Sequence, residues 1–221
     1  MPRTGRPPVT SQAQIVDTAR RLIDDDGWEK LTIRRLAGEL GIGATTLYHH
    51  VRHKDDLLLL LLNEYAERAA PPELPDDPKE RIIAAAHAMH AGLAAWPWAA
   101  EVLSVDGFVG LLSDPALRLV EAVLDGAVAC GATRDQAVDV FRSIWYYTVG
   151  EVTVRARSTR RTVGGWEITF TNFDSSRVPT LAAIGERWPE LAARDIYSRG
   201  LRALVDGLVG GAGERDQLGQ P

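Results

Sequence analysis

The chain has 221 residues, 45% of them hydrophobic, and a formal net charge of −5, which allows a substantial core in one all-helical assembly of two parts. Its longest purely apolar run, Leu57–Leu62, falls far short of the roughly 20 residues a membrane span needs, and Met1–Pro8 has no apolar segment behind it, unlike a signal peptide. Cys130 is the only cysteine, so an intramolecular disulfide and a thiolate zinc site are excluded, as fits a reducing cytoplasm.

In chain order, Ser11-Gln12-Ala13-Gln14 reads as a capping box that opens a first helix. Ile15, Ala19, Leu22 and Ile23 recur at helical spacing, and Gly27 is the expected left-handed stop. Thr32 is the expected cap of a second, short helix with Ile33, Leu36, Ala37 and Leu40 inward, interrupted at Gly41. A third runs from about Ala44 to Val51, with Leu47 and Val51 inward. Two short helices about a glycine-containing turn form a helix-turn-helix pattern.

A fourth helix begins near His53 and carries six consecutive leucines, so it should be covered on both flanks, by the small and the large part. Pro71, Pro72, Pro75 and Pro78 end it. Further helices are expected over 79–95, 98–105, 114–130 and 134–156, with Val138–Val149 apolar nearly all round and therefore central. Around Gly164-Gly165 and Trp166–Phe170 either a short hairpin or a mobile loop fits. A final helix is expected over about 190–209, followed by a disordered glycine-rich tail.

Charge is unevenly spread. Residues 1–56 hold nine Lys and Arg against eight Asp and Glu, whereas residues 57–221 hold sixteen against twenty-two. Asp24, Asp25 and Asp26 cluster, which leaves Arg3, Arg6, Arg34, Arg35, Arg52 and Lys54 for a local basic surface. The acidic total therefore does not exclude a nucleic-acid partner.

The run Leu31-Thr32-Ile33-Arg34-Arg35-Leu36-Ala37-Gly38-Glu39-Leu40-Gly41-Ile42, followed by Thr46-Leu47-Tyr48-His49-His50-Val51-Arg52-His53-Lys54, resembles the DNA-binding helix-turn-helix of the tetracycline-repressor family. A recognition helix presents its first residues to base edges. Ala44, Thr45, Thr46 and His49 fall on its outward face, where methyl groups suit thymine and hydroxyls serve bases or phosphates. The resemblance implies that Arg34 pairs with a guanine and that Tyr48, His50 and Lys54 hold phosphates. Gly43 stands where the family often has a capping serine. Arg3 and Arg6 are either a minor-groove arm or part of a disordered terminus.

The later part resembles the family's ligand-binding and dimerisation half. Trp145–Gly150 and Tyr197–Leu208 are similar to two helices that build a four-helix bundle across the family's dimer. On the last helix Ile196, Gly200, Ala203 and Gly207 form a small-residue strip beside Tyr197, Leu201, Leu204, Val205 and Leu208, a face too broad for one neighbour. Gly200, Ala203, Leu204, Gly207 and Leu208 are thus the expected dimer contacts. His87, Met89, His90, Trp96, Trp98, Phe108, Trp145 and Tyr146 are candidates for an effector cavity. The family's tetracycline–magnesium ligands fall on residues such as Ala70 and Val123, so that binding is not carried over.

The expectation is an all-α protein with a helix-turn-helix domain at 1–56 and a helical ligand-binding and dimerisation domain at 57–221. It would be a cytoplasmic homodimeric repressor of a double-stranded, palindromic operator, released by a hydrophobic or aromatic small molecule, with no cofactor, metal or membrane partner. Two rivals stand beside it: a ligand-binding module without DNA regulation, which the intact Tyr48 and Lys54 speak against, and an enzyme using His87 and His90 with Glu101 or Asp106. No nucleophile motif or phosphate loop accompanies those histidines.

Overall fold

The computed structural model describes residues 10–105, 107–160 and 173–210. Their regular elements are all helices, with no strand among the described residues. Arg3 and Arg6, the segment Gly164–Phe170 and the glycine-rich tail lie outside them.

Local signals set the first helices. In α1 (Gln12–Asp26) the Gln14 N–H donates to Ser11 Oγ at 3.3 Å, and the Ser11 N–H donates to Gln14 Oε1 at 2.9 Å. This satisfies two orphan donors of the first turn. A 3-10 turn, Trp28–Lys30, leads to α2 (Ile33–Glu39), whose Arg35 N–H donates to Thr32 Oγ1 at 3.2 Å. Gly41 follows with φ 66°, a left-handed turn that a side chain would strain. Next comes α3 (Ala44–Tyr48), shorter than expected; His49 and His50 continue as turn, closed by the Val51 N–H donating to Leu47 O. Leu47 and Val51 are buried as expected.

The helix α4 (Lys54–Arg68) is opened by Asp56, whose Oδ2 accepts from the N–H groups of Arg52 (3.0 Å) and His53 (3.2 Å). It packs against α1 and against α6 (Pro97–Val102). Leu57, Leu58 and Leu61 are buried, while Leu59, Leu60 and Leu62 are half-buried. Asn63 adds a clasp: its Nδ2 donates to Leu111 O (3.0 Å) and its Oδ1 accepts from the Ser113 N–H (2.9 Å).

The remaining helices are α5 (Pro78–Ala95), α7 (Asp114–Ala129), α8 (Arg134–Arg160), α9 (Pro179–Ile184), α10 (Trp188–Ala192) and α11 (Tyr197–Gly210). The chain forms two compact units, one comprising residues up to Glu73 with Ala91–Glu121, the other Leu74–His90 with the residues from Ala122 onward. Both α5 and α7 cross a unit boundary. In the first unit, α1–α4 and α6 enclose Ile15, Leu36, Leu47, Leu57 and Trp98. In the second, α11 lies along α8 and buries Tyr197, Leu201, Val205 and Val209.

Two expectations are corrected. The final helix does not run through 190–209. It starts at Tyr197, whose N–H donates to Asp195 Oδ1 at 3.0 Å, and is preceded by the separate α10. Nor is α8 enclosed on all sides: Val138, Arg142, Tyr146, Gly150 and Val154 form an exposed strip along it. Apolarity all round marks burial only if every covering surface belongs to the same chain.

Candidate functional site

The α2–turn–α3 unit separates inward from outward side chains cleanly. Leu36, Ala37 and Leu47 are buried, while Arg34, Thr45, Thr46, His49 and His50 are exposed, Tyr48 is 51% exposed and Ala44 is half-buried. All the outward candidates therefore share the segment from α2 to the turn after α3. Not every cation of the region is turned outward with them. Arg35 is joined to Asp26, and its guanidinium holds that carboxyl below the usual carboxylate range. Arg21 pairs with Glu39 at 3.0 Å.

Lys54 stands apart. Its Nζ donates to Trp28 O at 2.7 Å, reaches Glu29 O at 3.5 Å and lies 4.6 Å from the centre of the Trp28 ring. Burial pushes its pKa down, against the opposing pull of Glu29 and Asp55.

The cavity candidates do not form one constellation. Trp96, Trp98 and Phe108 belong to the first unit. There Trp96 meets Trp98 edge-on at 5.4 Å and Tyr65 of α4 at 5.8 Å; Trp98 and Phe108 are buried. His87, His90, Trp145 and Tyr146 belong to the second. Trp145 is buried beside Phe141, with 6.4 Å between rings, whereas Tyr146 is 58% exposed and accepts from Arg142 Nε at 3.1 Å. Met89 is half-buried on α5.

His87 and His90 converge on a residue that the cavity candidates leave out. Tyr197 is buried with His90 stacked on its ring, His87 edge-on at 5.4 Å and Tyr147 parallel at 5.4 Å. Its hydroxyl lies 2.8 Å from the Oγ1 of fully buried Thr148, which itself donates to Ile144 O, and 3.3 Å from Ala86 O. Burial pushes the Tyr197 phenol up to about 12 and pushes the His87 imidazole down. Burial also works against the charge of Glu151. Hydrogen bonds from His90 and Arg155 outweigh it and hold this carboxyl below its ordinary range. A hydroxyl amid an apolar run, Thr148, was the signal in the sequence for this cluster.

On α11 the dimer candidates divide: Ala203 and Gly207 face away from its buried strip, whereas Leu204 and Leu208 lie along the strip's edge. Ala203 and Gly207 are exposed, and Leu204 and Leu208 are half-buried. Gly200 differs: a Cβ there would fall on the Tyr147 hydroxyl of the same chain, whereas at Gly207 it would meet nothing within 4 Å. Ile196, just before α11, and Val138, Tyr146 and Val154 on α8 are also exposed.

No helix among the described residues is long and apolar enough to cross a membrane, and no group of three His, Cys, Asp or Glu among them is placed to hold a metal ion. Residues 15–61 match the model of bacterial regulatory proteins of the tetR family, and residues 71–210 match that of the tetracyclin repressor-like C-terminal domain. An HTH-type transcriptional regulator of Saccharopolyspora erythraea is 29% identical over 93% of this chain and 87% of its own length. The HTH-type transcriptional repressor DrrR1 of Streptomyces coeruleorubidus is 28% identical over 94% and 80%. The fold is similar to that of ActR of Streptomyces coelicolor in complex with actinorhodin, with a TM-score of 0.73 at 22% identity, over 92% of this chain and 99% of that one. The chain belongs to the tetracycline-repressor family of bacterial regulatory proteins, a family of transcriptional regulators rather than of enzymes.

Proposed function

We propose that this chain is a homodimeric repressor that reads a palindromic operator with one helix-turn-helix per half-site and lets go of it when a small hydrophobic or aromatic effector binds. The observation that carries this reading is the outward face of α2–α3, where Arg34, Thr45, Thr46, Tyr48, His49 and His50 stand exposed over a sealed apolar interior. Within it Arg34 reads a guanine by a bidentate contact, and the methyls of Ala44, Thr45 and Thr46 meet thymine methyls. Tyr48, His49 and His50 serve the phosphates, which fix register without reading sequence. DNA contact is assigned to residues 1–56 and ligand binding with dimerisation to 57–221, a division of task that compactness does not follow.

The exposed apolar strips of α8 and α11 support a dimer, since open faces of this kind bind partners. Small side chains at Ala203 and Gly207 let a second α11 approach closely. The buried aromatic groups of both units, and the solved complex of ActR with actinorhodin, support an aromatic effector. Such a ligand acts by favouring a separation of the two reading heads other than the roughly 34–36 Å between successive major grooves.

A gel shift with duplex DNA from upstream of the chain's own gene tests the reading. Retardation at nanomolar dimer, against a mixed-sequence duplex left unshifted, is the expected result. Equal affinity for both duplexes removes sequence-specific repression as the function.

A further inference from the structure

The family resemblance hands Lys54 to a DNA phosphate; the geometry gives its ammonium another task. Both Trp28 O and the Trp28 ring are within its reach, and it makes these contacts while half-buried. Trp28 opens the 3-10 turn that ends at Lys30, two residues before Thr32, the cap of α2, and Lys54 is the first residue of α4. Between them lies the whole reading unit: α2 with Arg34, the Gly41 turn, and α3 with Thr45 and Thr46.

We propose that Lys54 is a positioning residue that closes residues 28–54 into a ring and so fixes α2 against the α3–α4 junction. The proposal rests on the DNA-binding reading above. α2 packs on α3, α3 passes into α4 through five residues, and Lys54 ties α4 back to the entry of α2. Three contacts of different kinds share one ammonium: a charge-assisted hydrogen bond, a longer approach to Glu29 O and a cation–π contact. A short recognition helix without a capping side chain gains orientation from such a tie, because Gly43 supplies none of its own.

Salt dependence separates the two tasks. Each phosphate neutralised by a side chain contributes about 0.9 to the slope of log K against log salt concentration. Lys54→Met, which keeps the apolar stem, is expected to leave the slope on a mixed-sequence 30-base-pair duplex unchanged. The same variant is expected to weaken the upstream duplex about tenfold, Trp28→Leu, which removes the ring but leaves the carbonyl, to weaken it less, and the double variant to be about as weak as Lys54→Met alone, as contacting partners behave. A slope smaller by about 0.9 in Lys54→Met, with additive losses, makes Lys54 a phosphate ligand and overturns the proposal. Thermal unfolding reports whether each variant is folded. Should Lys54→Met not fold, Lys54→Gln takes its place: unchanged affinity for the upstream duplex, or a slope smaller by about 0.9, overturns the proposal. If the unaltered protein does not prefer the upstream duplex, the operator reading fails, while the slope on the mixed-sequence duplex still judges Lys54. If it binds neither duplex, both fall.

Discussion

The imidazole of His90 lies face to face with the phenol of Tyr197, 3.8 Å between ring centres, while its Nε2 sits 2.7 Å from Glu151 Oε2. One buried tyrosine thus joins α5, α8 and α11. Removing its ring by Tyr197→Ala should cost about 3–5 kcal/mol, the range for emptying a buried aromatic site. Removing only the hydroxyl by Tyr197→Phe should cost about 1 kcal/mol, because Thr148 keeps its bond to Ile144 O. Urea unfolding monitored by circular dichroism measures both. Equal costs for the two variants would show that packing around the ring contributes nothing.

The same cluster sets two pH limits. His87 is held below its ordinary pKa by burial, so the unfolded chain binds the extra proton first. Its contribution is present above about pH 6.5 and is lost as acid is added towards the folded value. Tyr197 is raised to about 12, so the folded chain holds that proton longer. Its contribution is complete below about pH 10 and is lost as pH rises through 12. Stability against pH should therefore fall at both ends. His87→Gln should flatten the acid limb near pH 6, and Tyr197→Phe the alkaline limb; limbs identical to the unaltered protein's would dissociate these groups from the fall.

Gly200 and Gly207 should behave differently although they lie two turns apart on one helix. At Gly207 a side chain enters open space in the chain itself, so Gly207→Leu should preserve the fold and disrupt the dimer. Gly200→Ala should instead lower the unfolding temperature by pushing on Tyr147. Sedimentation of the unaltered protein at micromolar concentration should give dimers. A Gly207→Leu variant that sediments as a dimer would move the interface off α11.

Arg34→Ala should cost about 1–3 kcal/mol on the operator and relax its preference at one position in each half-site. Tyr48→Ala should weaken all sequences alike and leave the salt slope nearly unchanged, because a neutral phenol hydrogen-bonds a phosphate without neutralising it. Operator selection from a randomised pool reads the first and titration at several salt concentrations the second. Arg34→Ala losing equal affinity for operator and random DNA would make that side chain a backbone contact.

Trp28 is the one tryptophan before residue 96. An effector should quench emission through Trp96 or Trp145, so replacing either should diminish the response and Trp28→Phe should leave it nearly whole. Operator DNA should weaken effector binding by the same factor by which effector weakens operator binding. A compound that binds equally well with and without operator is not the effector.

The parts of the fold written in neighbouring residues were open to reading. Ser11 with Gln14, Thr32, Gly41 and the pair Leu47 and Val51 act within a few positions of themselves, and each does what its type and spacing imply. The open face of α8 was not, because Val138 and Val154 are as apolar as Val152, and apolarity carries no mark of which chain will cover it. The partner of Lys54 is a backbone oxygen, and backbone oxygens have no letter in a sequence. Tyr197 gathers His90 and Thr148 from 107 and 49 positions away, a convergence that only the packing of α5, α8 and α11 creates. The break before α11 was readable in principle, since Asp195 caps it two residues ahead of Tyr197.

Asn63 does to the Leu111–Ser113 segment what a neighbouring strand does in a sheet: one amide takes both a carbonyl and an N–H. That N–H is consequently a timepiece. Its proton can trade with solvent deuterium only in the moments when α4 and the segment part, so the exchange rate at Ser113 counts those partings directly. An amide one residue before α7, in a stretch that otherwise invites rapid exchange, should be slow, and Asn63→Ala should set it running.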